Sequence, residues 1–400
     1  MMLRCRRSAA LLLLTACAAS AAELRVGRAA LKLLDVSAAD ELYVKALLLD
    51  DGETRAAMVV CDLPALDPVT IQTARRQIAA QSTIAESNIM IAATGTHAAR
   101  EKTPRGTAVA ARLAEAVRLA VSSAQPASAW AGAGREDATG FYNRFLMTDG
   151  TVRANPGKMN PDIVQPAGEA DPDLVVVRFV EPGAGQTLAI FGSYSLRASI
   201  VEGSHLSADY PGVIARTLGR LHGPELVTLW STGAGANVTH IDARSPAPQP
   251  PGAAEAQRVG TILSGESLKA GARSLRLRSV KLGVVRESVK LAAAQPGRPA
   301  LDVEVQVIAL GDSVAWVGLP GDLWSELGRA IRKASPFPYT LLTGLADTSA
   351  GVLPSRKGYP AGSPDPGVRT AAGSGEIIAD AAVRLLAAAR RLAEHFLIEE

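Results

Sequence analysis

The chain has 400 residues, of which 48% are apolar, 20% charged and 4% aromatic. So much apolar material excludes an intrinsically disordered chain and is enough to bury a large core. Without Arg4, Arg6 and Arg7 the 42 basic residues fall to 39, equal to the 39 acidic ones, so no bulk field favours nucleic acid or an anionic membrane.

Those three arginines open a segment with the layout of an export signal. MMLRCRRSAALLLLTAC has a basic start, an apolar stretch of about ten residues and small residues near a cleavage point. It is shorter than the ~20 residues that a membrane-spanning helix needs. Residues 1–22 are therefore expected to be a signal peptide or lipoprotein signal, and 23–400 a single α/β domain. Two cleavages stay open. Leu14-Thr15-Ala16-Cys17 has the form of a lipobox and would leave a lipid anchor at Cys17, the one membrane contact expected; Ala19-Ser20-Ala21 offers an ordinary export site. Either places the chain in the periplasm or cell envelope, with secretion as the alternative. Cys5 also falls in this segment, so Cys61 alone remains in the body and no internal disulfide is expected. In the apolar run AAMVVCD it reads as a buried small hydrophobe.

After a first strand-like segment at Leu24, residues 41–62 (ELYVKALLLDDGETRAAMVVCD) read as a hairpin around an Asp-Gly turn. A helix follows from about Asp67, with Asp as cap and Pro68 in the first turn. Then come the strand NIMIAATG and a helix over about 107–123. The order recurs. DLVVVRFVEPGAGQTLAIFGSYS is a second hairpin, followed by a helix over about 210–221, the strand ELVTLWSTG and a helix over about 253–270. DVEVQVIALGDSVAWVGLPG is a third, followed by the helix LWSELGRAIRKA, the strand YTLLTGLA and a helix over about 375–393. The turn centres lie about 130 residues apart. Three loosely repeated hairpin-helix-strand-helix units predict an α/β protein with mixed β-sheets flanked by helices. Residues 134–173, rich in Asn, Pro and Gly, read as a long irregular insertion, and 243–251 (ARSPAPQPP) as a surface loop or linker.

In open α/β sheets ligands bind outside the carboxyl ends of the strands. Six loops then qualify as site-forming: 62–67, 94–106, 195–209, 232–242, 320–324 and 346–354. These loops also carry a family resemblance. LYVKALLLDDGETRAAMVVCDL, NIMIAATGTH, NPGKMNPDIVQPAGEADPDLVVVRF, SADYPG, VGLPGDLWSELG and ASPFPYTLLTGLADTSAGVLP occur in the order found in the neutral/alkaline non-lysosomal ceramidase family. From about Leu24 to Leu386 the chain resembles the shorter bacterial form, which lacks a C-terminal sandwich domain.

The resemblance implies a zinc amidase that cleaves an N-acyl amide with metal-activated water. It also implies a metal held by two histidines, a glutamate and a tyrosine. At the matching positions this chain has Gly95 in Thr94-Gly95-Thr96-His97, Arg197 in Leu196-Arg197-Ala198, Asp322 in Pro320-Gly321-Asp322 and Ser349 in a loop without tyrosine. Zinc needs about three N, S or O ligands. Glycine offers none, and arginine stays protonated beside a dication. A shift of two residues would put His97 on the first ligand position, yet Arg197 and Ser349 would still leave too few donors. No metal ligand set and no cofactor are therefore expected.

His97 corresponds to a family histidine in contact with substrate and is the candidate catalytic residue, a backbone-bonded loop histidine being the alternative. Arg144 and Asn143, in an Asn-Arg element like the family's, are candidate substrate-binding residues, with Arg197 and Asn237. His205 and His240 lie in site-side loops without a zinc spacing. Asp209 reads as a helix-start residue, and Trp324 as packing a helix end. Lys158 and Asn160 read as solvated. Ser199, Ser231 and Thr239 lack the context of a serine nucleophile. A guanidinium at 197 needs a partner once removed from water, so it is expected beside Asp322, the surviving acid, or on a bound anion. The expected function is an exported ceramidase-like protein, non-catalytic or chemically altered, that binds a small polar, anionic or lipid-amide-like ligand in the cleft. An amide hydrolase with a changed metal set, and a structural or interaction protein of the envelope, are the alternatives.

Overall fold

The structure, a computed structural model, describes residues 23–33, 40–98, 106–203, 206–347, 349–358 and 367–394. The export segment with Cys17, and His205, lie outside these residues.

Each of the three units contributes four main strands and two helices to one sheet layer, and in the first two a two-residue strand, Gln125–Pro126 or Leu275–Arg276, extends the sheet to five. The first comprises β1 (Arg25–Lys32), β2 (Tyr43–Asp50), β3 (Arg55–Cys61), α1 (Pro68–Gln81), β4 (Ile89–Ala93) and α2 (Thr107–Ser122). The second comprises β5 (Ser128–Arg135), β6 (Asp173–Val180), β7 (Thr187–Tyr194), α3 (Asp209–His222), β8 (Val227–Ser231) and α4 (Gly252–Ala272). The third comprises β9 (Leu282–Leu291), β10 (Leu301–Leu310), β11 (Val314–Gly318), α5 (Ser325–Ala334), β12 (Tyr339–Thr343) and α6 (Ser374–Glu394). In every unit the first three strands pair antiparallel in chain order, and the fourth lies parallel to the third. The parallel pair is joined through a helix, as a crossover between parallel strands requires. Local chemistry agrees at α1, where Asp67 Oδ1 accepts the Thr70 N–H at 2.9 Å and Pro68 opens the helix.

The sheets meet face to face. Met58 and Leu47 from the first, Phe191 and Val177 from the second, and Trp316 and Ile308 from the third belong to one central apolar cluster. Phe191 and Trp316 meet edge to face with ring centroids 5.9 Å apart. The outer face of each sheet packs on its own helix pair in a separate cluster. Alternate residues of the strands inside each sheet thus serve inner and outer cores, which is why β3, β7, β8 and β11 are buried along most or all of their length.

The opening strand of each unit is the part that the sequence pattern leaves weakest. Each carries a glycine where the unit's last helix comes closest. A Cβ at Gly27, Gly132 or Gly283 would lie 1.9, 2.2 or 2.8 Å from the carbonyl oxygen of Ala120, Ala270 or Ala389. Close helix–sheet contact requires glycine there, and glycine dilutes the strand signal. The insertion also differs from the irregular stretch expected. β5 runs on to Arg135, and Ile163–Pro166, Arg144–Met147 and Val152–Ala154 form a three-stranded sheet. These strands have four residues or fewer and are bounded by Gly, Pro and Asn, too short for alternation to register.

Phe191→Ala removes an inner-core ring shared by two sheets and is expected to cost about 3–5 kcal/mol in urea unfolding. Val69→Ala, at a 71% exposed position on α1, is expected to stay within about 0.5 kcal/mol of the parent.

Candidate functional site

The parallel strands β3/β4, β7/β8 and β11/β12 end on one side of the molecule, where their loops enclose a cavity of about 450 Å³. All six loops expected to form a site contribute to its wall: Pro64, Thr94, Arg197, Thr232, Asp322 and Ser349 each come from a different one. The insertion adds Asn143 and Arg144.

The loops are tied pairwise into a ring. The His97 N–H donates to Ala198 O at 3.1 Å and Thr96 Oγ1 to Ser207 O at 2.7 Å, joining the first two units. The Ala236 N–H donates to Leu323 O at 3.1 Å, joining the second and third. The Ile91 N–H donates to Asp347 Oδ1 at 2.8 Å, closing the third on the first. Each unit also makes the same tight turn after its third strand: Leu63 N–H to Cys61 O at 2.8 Å, Leu196 N–H to Tyr194 O at 3.0 Å, and Gly321 N–H to Leu319 O at 2.8 Å. The residues that follow are Pro64, Arg197 and Asp322, and all three face the cavity. Arg197 and Asp322 thus hold matching positions in different units. Arg197 Nε lies 2.5 Å from Asp322 Oδ2, the pairing expected, with the side chains 22% and 20% exposed.

The other candidate positions divide. Gly95, His97, Asn143, Arg144, Asn237 and Ser349 line the cavity with the ion pair. Arg144 is 5% exposed, and its guanidinium lies 5.0 Å from the centroid of the Trp324 ring. Asn237 is largely engaged in holding α5. Its Oδ1 accepts the Ser325 N–H at 2.8 Å and its Nδ2 donates to Glu326 Oε2 at 2.9 Å. Asp209 is the first residue of α3, where its Oδ2 accepts the N–H groups of Ile200 and Val201 at 2.8 and 2.9 Å. It folds back the loop that carries Arg197. Ser231 Oγ donates to Leu342 O, and Asn160 bonds its own turn at Pro156 and Asp162. His240, its pKa lowered by burial, Thr239 and Lys158 line a neighbouring cavity. Cys61 is buried, and burial raises its thiol pKa beyond the range of a reactive cysteine.

Thr94, Thr232 and Leu345 also form the wall and were not singled out from sequence. The first two had a signal: Thr-Gly ends or follows the fourth strand of every unit, at Thr94-Gly95, Thr232-Gly233 and Thr343-Gly344.

The zinc that the resemblance implies does not fit these residues. Among the described residues no group of three or more His, Cys, Asp or Glu side chains could hold a metal ion. Asp322 already holds a guanidinium. Gly95 has φ +77°, a conformation that side chains rarely adopt, and a Cβ there would lie 2.9 Å from Leu345 Cδ1. The backbone at 95 is built for glycine, so this position differs from the implied histidine in more than its side chain.

No family model and no curated protein matches the chain. Solved structures do. The crystal structure of neutral ceramidase from Pseudomonas aeruginosa aligns with a TM-score of 0.74 and 14% identity, covering 93% of this chain and 75% of that one. A ceramidase complexed with C2 aligns at 0.75 and 14%, covering 93% and 76%. The fold is that of the bacterial neutral ceramidases. At this identity the likeness is one of architecture.

Removing one partner of the Arg197–Asp322 pair is expected to cost about 1–3 kcal/mol, less than the 3–5 of a fully buried pair because both side chains touch solvent. The double variant Arg197→Met/Asp322→Leu is expected to recover most of that loss in a double-mutant cycle read by urea unfolding.

A pH effect follows from Asp209. Burial pushes its carboxyl up to about 6, against the pull of the Val201, Tyr210 and Ile200 N–H groups; Asp40 adds to the rise. The folded value lies above the unfolded one, so the contribution is complete below about pH 4 and is lost as pH rises through about 6. Asp209→Asn cannot ionise, so its stability relative to the parent is expected to climb between those pH values, by up to about 3 kcal/mol.

Proposed function

We propose that this chain is a ceramidase-fold binding protein in which the Arg197–Asp322 ion pair takes the place of a metal centre. Its cleft takes a small polar or anionic ligand. The observation that carries this reading is the 2.5 Å contact between Arg197 and Asp322 inside the cavity ringed by all six loops. A cation and a carboxylate satisfy one another there without a metal, which suits binding better than activation of water. Among the described wall residues two arginines stand against one carboxylate, which favours an anion. Arg144 and Asn143 are the principal binding residues. Arg197 and Asn237 fix the shape of the wall, and His97 contributes a further polar group. Export to the periplasm or cell envelope, read from residues 1–22, is part of the same proposal.

Thermal unfolding with acetate, glycolate or phosphate, each against chloride at equal ionic strength, tests it. A saturable rise in Tm with at least one of these anions, lost in Arg144→Gln, is expected. No rise beyond the chloride control would sink the reading.

A further inference from the structure

The helix α5 starts in an unusual way. Trp324 stands at its N-cap and makes no side-chain hydrogen bond to the first turn. Ser, Thr, Asp or Asn would satisfy one of the unpaired N–H groups there. The bond comes instead from the second unit: Asn237 Oδ1 accepts the Ser325 N–H at 2.8 Å. Capping by Asn237 frees position 324 for a large ring. That ring is 3% exposed and packs with Ala236 and Val352, which line the ringed cavity with it.

Two neighbours hold the indole. The first is Arg144, whose guanidinium lies 5.0 Å from the ring centroid. Arg144 belongs to the insertion and Trp324 to the third unit, so the contact crosses between units. The second is the turn at residues 355–358. The ladder that pairs Asp322–Leu323 with Val352–Leu353 leads into it, and the Trp324 N–H donates to Leu353 O at 3.2 Å. The Gly358 N–H closes the turn on Ser355 O at 3.0 Å. Only glycine leaves the ring its room, since a Cβ at Gly358 would lie 1.9 Å from Trp324 Cζ3. Glu326 ties turn and wall together. Its Oε1 accepts the Ser355 hydroxyl at 2.7 Å and its Oε2 the Asn237 amide at 2.9 Å.

Resting on the binding reading above, we propose that Trp324 is a positioning residue for the anion site. Braced by the turn at 355–358, the ring holds the Arg144 guanidinium in the orientation that receives the anion. A long arginine side chain has much rotamer freedom to lose when it closes on a ligand. A guanidinium already seated against an aromatic ring has lost it beforehand, so more of the contact energy appears as affinity. The strength of the site then depends on residues outside the cavity wall. Gly358, Ser355 and Glu326 act on it through Trp324 and Arg144.

Titrations of Tm with acetate, glycolate and phosphate, each against chloride at equal ionic strength, give an apparent affinity for the full chain and its variants. Trp324→Leu is expected to weaken the tightest of the three by about 5–20-fold, and Trp324→Phe, which keeps a ring, to stay within ~3-fold of the parent. Both variants lose buried surface and stability in urea, so a merely structural role would weaken binding in both. Gly358→Ala changes neither the ring nor the arginine, yet it should weaken binding as well. Gly265→Ala, whose Cβ would meet open space, is the control and should bind like the parent. The Leu and Phe variants decide the matter if Gly358→Ala does not fold. Equal affinity in the parent, Trp324→Leu and Gly358→Ala would overturn the positioning role and leave the binding reading standing. So would a Phe variant as weak as the Leu variant. No anion-dependent rise in the parent would overturn both.

Discussion

Three apolar sheet faces have to leave water together, and the architecture follows from that constraint. Each unit has an outer face covered by its own two helices, which leaves an inner face rich in Met58, Phe191 or Trp316 with nothing to cover it but the other two sheets. Packing them against one another brings the carboxyl ends of the parallel strand pairs to one side, and the loops beyond those ends must then meet. A cavity with contributions from all three units is the consequence.

Similar turns in dissimilar sequences explain why residues 125 positions apart form the central ion pair. The tight turn closed at Leu63, Leu196 and Gly321 delivers the next residue of every unit to the cavity wall. Proline, arginine and aspartate arrive there, and the two charged ones neutralise each other. The pair is worth less to stability than a wholly dry one, but unpairing either partner would leave a charge where water reaches it poorly. Its larger effect is chemical: the one carboxylate kept from the ligand set implied by the resemblance is engaged by a group that cannot be deprotonated.

Much of this was legible in the sequence. The three hairpins, the helix after each and the parallel strand beyond it are strongly apolar and well punctuated, and the rule of carboxyl-end loops pointed to the six segments that form the wall. The departures at 95, 197, 322 and 349 were visible as residue types, and the resemblance together with charge narrowed the partner of Arg197 to Asp322 or a bound anion, of which the structure has Asp322. Other features were hidden because tertiary contacts decide them. Gly27, Gly132 and Gly283 weaken the strands that they allow to approach a helix. The strands of the insertion are too short to show a period. The role of Asn237 as an anchor for α5 depends on residues 88 and 89 positions away. The second cavity arises where the insertion meets 239–251, a contact that neither segment announces.

Everything said of the cleft depends on whether a guanidinium stands in place of the metal. Elemental analysis of the purified protein, dialysed at neutral pH and then offered excess zinc, tests this most directly, with Arg197→His measured alongside. Far less than one zinc per chain is expected in both proteins, because Gly95 and Ser349 still supply no adequate ligand set. About one zinc per chain in the parent, lost on Asp322→Ala, would contradict it.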